Sequence, residues 1–125
     1  MSRERSLMVV DDSMVFRNRI ARLAMDGRLA GLRVVAHAGD GLQAIELARL
    51  HKPDFVTMDL TMPRMEGGEA LAALRTLLPD SRVLVVSALA DRATALKALT
   101  RGAHGFLHKP FTEEQLIESL RELMA

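Results

Sequence analysis

Short apolar runs alternate along this chain with segments of helical length. The runs lie at 7–10, 32–36, 55–58, 83–86 and 105–107, the third beginning near Asp54. Apart from Arg33 and Thr57, the runs are continuously apolar rather than alternating with polar residues, which is typical of a parallel strand covered by helices on both faces. Between the runs, apolar residues recur at three- or four-residue spacing, which predicts amphipathic helices. The repeated strand–helix units predict an α/β fold: a five-stranded parallel sheet with right-handed crossovers and helices on both faces.

Polar residues in front of the helical segments predict where four helices begin, because their side chains can accept from the first free backbone N–H groups. The expected N-caps are Ser13, Asp40, Asp91 and Thr112. Gln43 and Gln115 each come three residues after an expected N-cap, the spacing of a capping box. The remaining helix comes after residues 61–68, where a proline and paired glycines predict a loop.

Composition limits the classes of function. A length of 125 residues predicts one domain over 1–125. The absence of cysteine excludes disulfides, iron–sulfur clusters and thiolate zinc sites. Seventeen basic residues against sixteen acidic ones give a formal charge of +1, so there is no electrostatic case for nucleic acid binding. The first apolar run is too short for a signal peptide, and no segment has transmembrane length; we therefore expect no membrane partner and a cytoplasmic location.

Chemically functional side chains lie just past the ends of four of the five runs. They are Asp11, Asp12, Asp59, Ser87 and Lys109. Since the carboxyl ends of parallel strands meet at one edge of a sheet, these groups should converge there. Adjacent carboxylates repel one another, and a divalent cation such as Mg²⁺, which prefers oxygen ligands, relieves that repulsion. A carboxylate beside the ion can accept a phosphoryl group, with Lys109 and Ser87 contacting its oxygens.

Each of these residues alone has an ordinary structural explanation, as a helix cap or a turn residue. Their occurrence at four strand ends together favours the phosphoryl site. Other polar residues do not favour a site. The four histidines lack metal-ligand spacing and are expected at the surface, and three arginines of the first helix are expected to form a solvated face. The arginines are Arg17, Arg19 and Arg22.

Four segments of the chain resemble the receiver domain of two-component response regulators. They are VVDDS at 9–13, MDLTMPRMEG at 58–67, VVSA at 85–88 and GFLHKPF at 105–111. The resemblance extends over essentially the whole chain. It implies the flavodoxin-like, CheY-like sheet with strand order 2-1-3-4-5.

The resemblance also implies a role for each matching residue. Asp59 looks like the phosphoacceptor, and Lys109 looks like the lysine that contacts the phosphoryl group. Asp11 and Asp12, with Asp59 and the backbone carbonyl of Thr61, look like the Mg²⁺ ligands. Ser87 looks like the switch hydroxyl and Phe106 like the switch aromatic ring. The Lys109–Pro110 peptide bond is expected to be cis.

The function implied is that of a signalling module rather than an enzyme: a histidine kinase phosphorylates it, and a protein target binds the face of helix four, strand five and helix five. Because the sequence stops directly after the fifth helical segment, we expect a stand-alone chemotaxis receiver. One alternative is the N-terminal receiver of a larger regulator with methylesterase or DNA-binding output. A second is an aspartyl-phosphate phosphohydrolase, although residues 60–62 lack the second acid such enzymes place after the nucleophile.

Overall fold

The computed structural model describes residues 4–61, 67–88 and 92–125. Strands and helices alternate through these ranges. The strands are β1 (Arg5–Val10), β2 (Leu32–Ala38), β3 (Phe55–Met58), β4 (Arg82–Ser87) and β5 (Gly105–His108). The helices are α1 (Met14–Ala24), α2 (Gly41–His51), α3 (Gly67–Leu77), α4 (Arg92–Thr100) and α5 (Glu113–Met124). The cap predicted at Asp91 and most of the loop predicted at 61–68 lie outside the described residues.

The five strands form one parallel sheet in the order β2-β1-β3-β4-β5, which confirms the predicted fold class and strand order. Four of the five strands extend one or two residues beyond their apolar runs. β2 continues two residues beyond Ala36, because its pairing with β1 extends to Ala38. β3 begins at Phe55, next to Asp54 as predicted, and the Asp54 carboxylate accepts a hydrogen bond from the Ser6 backbone N–H at 2.9 Å.

Each face of the sheet packs against its own set of helices. Alternate residues of a strand point to opposite faces, so Leu84 and Val86 join the core under α1 and α5. Val83 and Val85 join the core under α2, α3 and α4. Both faces are therefore dry, which explains why the strands appear in the sequence as continuous apolar runs. None of the described helices is long and apolar enough to cross a membrane.

The three predicted helix caps that the structure describes agree with the sequence with one exception. Ser13 accepts from the Phe16 backbone N–H, and Thr112 and Gln115 form a complete capping box. Asp40 caps α2 as expected by accepting from the Gln43 N–H at 2.8 Å. However, the Gln43 side chain accepts from the N–H of Gly39 at 2.7 Å, one residue before the cap. The reciprocal half of that predicted capping box was therefore wrong.

The four histidines are exposed, as predicted, and one of them has a structural contact. The Nδ1 atom of His104 accepts from the Val83 backbone N–H at 3.1 Å, and the His104 N–H donates to the Val83 carbonyl at 2.8 Å. Partial desolvation of the ring, with the nearby guanidinium groups of Arg75 and Arg82, lowers the pKa of His104 below its ordinary value of 6.5. Together these contacts join β4 to the residue that precedes β5.

We expect the lowered pKa of His104 to make folding stability sensitive to acid. A histidine with a lowered pKa binds fewer protons in the folded than in the unfolded state, so stability falls as the pH drops below about 6.5 toward the folded pKa. Urea unfolding at pH 7.5 and at pH 5.5 measures the loss. In His104→Asn, whose Oδ1 atom can replace Nδ1 as acceptor but does not titrate, the loss should be smaller. Equal losses in the two proteins would contradict the prediction.

Candidate functional site

Backbone hydrogen bonds fix the positions of three site residues just beyond the ends of their strands. The Asp11 N–H donates to the Ala38 carbonyl at 3.0 Å, and the Asp59 N–H donates to the Val10 carbonyl at 3.0 Å. The Lys109 N–H donates to the Ser87 carbonyl at 2.9 Å. Each bond continues the pairing of its strand by one residue. The side chains just after the apolar runs are thereby held at one edge of the sheet, as the sequence predicted.

Three carboxylates converge at this edge. Asp11, Asp12 and Asp59 each offer an oxygen atom, and these atoms all lie within 4.8 Å of one another. Asp11 and Asp59 are buried, whereas Asp12 is exposed. Oxygen donors this close, with one side open to solvent, match the requirements of a hard divalent cation that keeps part of its water shell. The donor set therefore fits the metal that the sequence implied.

Lys109 supplies the positive charge among these acids. Its Nζ atom lies 2.6 Å from Asp11 Oδ2 and 3.6 Å from Asp59 Oδ2, and the lysine side chain is only 9% exposed. The Lys109–Pro110 peptide bond is cis, as predicted. Asp11 also accepts from the Ser13 N–H through Oδ1 at 2.9 Å, so both of its oxygens are engaged. A buried charge of this kind is tolerated when it is paired and hydrogen-bonded.

The carboxyl group of Asp59 is held in an unfavourable environment for its charged form. Burial raises its pKa, and the neighbouring carboxylates of Asp11 and Asp12 act in the same direction. The Lys109 ammonium and a hydrogen bond from the Thr61 N–H to Oδ1, at 3.3 Å, lower the pKa but do not cancel the effect of burial. A cation or a phosphoryl group that neutralises this buried carboxylate would therefore relieve an unfavourable charge.

The two residues expected to form a switch lie on the α4 side of the sheet. Phe106 pairs in register with Val85, and both belong to the core under α2, α3 and α4. Ser87, two residues after Val85, points to the same face by strand alternation and is buried. Phe106 is partly buried. Thr61 lies at the exposed rim of the site.

Two arginines contradict the prediction of a solvated face on α1. Arg17 donates to the backbone carbonyl of Asp11 at 2.6 Å, and Arg19 donates to the carbonyl of Phe111 at 3.2 Å. Arg22 is exposed as predicted.

The sequence reasoning also missed Phe16, whose ring lies against the Lys109 ammonium. Spacing from the acid pair could have indicated that both Phe16 and Arg17 lie near the site, since they come just over one helical turn after Asp12.

Comparisons with known proteins agree with this geometry. The model of the family "Response regulator receiver domain" matches residues 7–121. The chemotaxis protein CheY of Listeria monocytogenes is 37% identical over 116 residues, which cover 93% of this chain and 95% of that protein.

Two solved structures extend the comparison. The response regulator domain of Thermotoga maritima CheB superposes with a TM-score of 0.86 at 34% identity, covering 98% of this chain and 97% of that one. A Borrelia burgdorferi CheY, solved as a CheX-CheY-BeF3-Mg complex, superposes with a TM-score of 0.90 at 25% identity, covering 97% and 90%. This chain therefore belongs to the response regulator receiver domain family, whose members are signalling receivers of two-component systems.

We predict that Asp59→Asn stabilises the protein when divalent cations are removed. The amide keeps the shape of the side chain but removes a charge that burial disfavours, and Lys109 retains its closer partner Asp11. At pH 7 and in EDTA, the melting temperature should rise by about 4 °C, corresponding to roughly 1 kcal/mol in the free energy of unfolding.

The matched control is Asp80→Asn, because Asp80 is an exposed carboxylate in the turn before β4. This substitution should change the free energy of unfolding by less than about 0.5 kcal/mol. A lower melting temperature for Asp59→Asn than for the unmodified protein would contradict the argument that the charged form of Asp59 is destabilising.

Proposed function

We propose that this protein is a chemotaxis-type receiver that accepts a phosphoryl group on Asp59 from a histidine kinase. The observation that supports it most directly is the convergence of three carboxylates and one buried ammonium at the carboxyl edge of the sheet. Asp59 lies among all of them, as a phosphoryl acceptor must. Its Oδ2 atom lies on the side of Lys109, and its Oδ1 atom is held by the Thr61 N–H.

In the proposed reaction, an oxygen of Asp59 attacks the phosphorus atom of the donor. One P–O bond forms, while the bond from phosphorus to the donor breaks and the donor keeps that electron pair. Lys109 places its ammonium beside the phosphoryl oxygens, and Ser87 offers a hydroxyl to one of them. Catalysis of this kind consists mainly of positioning and neutralising charge. The protein thereby acts on itself, and it releases the phosphoryl group by hydrolysis.

Asp11, Asp12, Asp59 and the Thr61 carbonyl are the proposed ligands of Mg²⁺. When bound, the ion would neutralise charge on the carboxylates and on the phosphoryl oxygens. The Mg²⁺ and BeF3 named for the Borrelia burgdorferi CheY complex support this choice of metal. Asp12 is the exposed member of the acid cluster and can meet a partly hydrated ion without rearrangement of the core.

We expect Asp59→Asn to abolish phosphorylation. Incubation with acetyl phosphate and Mg²⁺ should add one phosphoryl group to the unmodified protein, observed as a mass increase, and none to the variant. Asp12→Asn should require a higher Mg²⁺ concentration for the same rate, because it removes the charge of a ligand. Labelling of Asp59→Asn at the rate of the unmodified protein would exclude Asp59 as the acceptor.

We propose that Ser87 and Phe106 transmit the effect of phosphorylation to the protein surface. Both point to the α4 side of the sheet, and the pairing of Val85 with Phe106 brings the two residues close along neighbouring strands. When Ser87 moves toward the phosphoryl group to donate a hydrogen bond, space opens behind it for the partly buried ring of Phe106. The surface of α4, β5 and α5 then changes, and a protein target that prefers this form binds there. The complex of a CheY with CheX supports a protein target.

We predict that Ser87→Ala and Phe106→Ala uncouple the signal from phosphorylation. Asp59 should still be labelled, while the gain in affinity for a target upon phosphorylation should fall by at least roughly tenfold in each variant. The measurement is titration of the target, identified by pull-down with the BeF3-treated protein, against both forms of each variant. A fully phosphorylation-dependent affinity in Ser87→Ala would remove the hydroxyl from the switch.

The same site would serve the N-terminal receiver of a larger regulator. The likeness to the receiver domain of Thermotoga maritima CheB favours this second candidate. The two candidates share the chemistry of Asp59 and differ only in whether an output domain is joined to the receiver. Sequencing the gene beyond the codon for Ala125 distinguishes them: a stop codon supports the separate receiver, and a continuing reading frame supports the larger regulator.

A further inference from the structure

The geometry points to Phe16 as a positioning residue for phosphoryl transfer, which holds the ammonium group of Lys109 against the face of its ring. This inference rests on the proposed role of Lys109. The Nζ atom lies 4.0 Å from the centroid of the Phe16 ring, well within the distance at which a cation is attracted to an aromatic face. Since Lys109 is nearly buried, water competes little for this side of the ammonium.

The aromatic face of Phe16 differs from the other partners of Lys109 because it carries no net charge. Asp11 and Asp59 attract the ammonium as anions, and both are also proposed to hold a divalent cation and a phosphoryl group. Their attraction for Lys109 weakens when those ligands neutralise them. The ring of Phe16 carries no net charge and needs no N–H donor, so it attracts the ammonium to the same degree before and after transfer. It thus leaves the N–H groups free to contact phosphoryl oxygens.

The ring is itself held in place by a second aromatic–cation pair. Phe111 lies with its ring centroid 6.1 Å from that of Phe16, at an interplanar angle of 56°. The guanidinium of Arg19 lies 4.9 Å from the Phe111 ring centroid and donates to the Phe111 carbonyl. Phe16 and Arg19 are one turn apart on α1, and Lys109 and Phe111 are two residues apart after β5. α1 and the segment after β5 therefore hold each other in place, because each contributes one cation and one aromatic ring to these contacts.

The position of the ammonium can be measured directly by NMR. The sequence contains three lysines, and the other two, Lys52 and Lys97, are exposed. Selective ¹³C labelling of lysine therefore gives three sets of Cε signals, two of which serve as internal references. A lysine above a ring face has its Cε protons shifted upfield by the ring current. We expect one upfield set in the unmodified protein, lost in Phe16→Leu and retained in Phe16→Tyr, which keeps the aromatic face.

The kinetic experiment uses acetyl phosphate and Mg²⁺ as the phosphoryl donor system, so that binding to a kinase does not affect the rate. Phe16→Leu should lower the rate constant of phosphorylation by roughly five- to tenfold, the equivalent of one cation–π contact. Phe16→Tyr should remain within about twofold of the unmodified protein. Val15→Ala, an exposed substitution on the same turn of α1, is the matched control and should leave the rate unchanged. In a Lys109→Gln background, Phe16→Leu should have no further effect.

The outcomes separate this inference from the proposed function. A slow Lys109→Gln variant, together with equal rates for Phe16→Leu and Phe16→Tyr, would overturn the role of Phe16 alone. So would three coincident lysine signals in the unmodified protein, a result that requires no variant to fold. A Lys109→Gln variant as fast as the unmodified protein would overturn both the proposed role of Lys109 and the inference built on it.

Discussion

The concentration of negative charge at one edge of the sheet is the constraint around which this protein is organised. Three carboxylates lie within a few ångströms of one another, and two of them are buried. Desolvation and mutual repulsion both oppose such an arrangement. The ammonium of Lys109 offsets part of the cost, and backbone N–H groups of Ser13 and Thr61 contribute further. The raised pKa of Asp59 shows that the compensation is incomplete.

The rest of the fold makes this arrangement possible. A carboxylate on a mobile loop would move away from its neighbours, whereas Asp11 and Asp59 each come directly after a central strand and are tied by one backbone hydrogen bond to the adjacent strand. β1 and β3 lie in the middle of the sheet with a packed core on each face. Close packing leaves little room for these strands to shift. The stability of the apolar cores is therefore what holds the acids together.

Much of this could be predicted from the sequence, because it depends on periodicity and on strand ends. Apolar runs predicted the parallel sheet, and the polar residues just past four of these runs predicted the side chains that meet at its edge. What could not be predicted is the contact between elements distant in sequence. Arg17 and Arg19 have the spacing and charge of an exposed face, yet each donates to a backbone carbonyl. Nothing in the sequence around α1 shows that a carbonyl at residue 111 lies within reach.

The two faces of the sheet place different aromatic groups beside the same charged edge. On the α4 side, Phe106 packs into the core near Ser87. On the α1 and α5 side, Phe16 and Phe111 pack against the other core, and the Phe16 ring contacts Lys109. Phe106 and Lys109 belong to one short stretch of chain, and the Lys109 N–H is bonded to the Ser87 carbonyl. In the proposed switch, a change of charge at Asp59 would act on both faces through this single strand end: the Phe106 ring would turn and carry the signal outward on one face, while the Phe16 ring would keep Lys109 in place on the other.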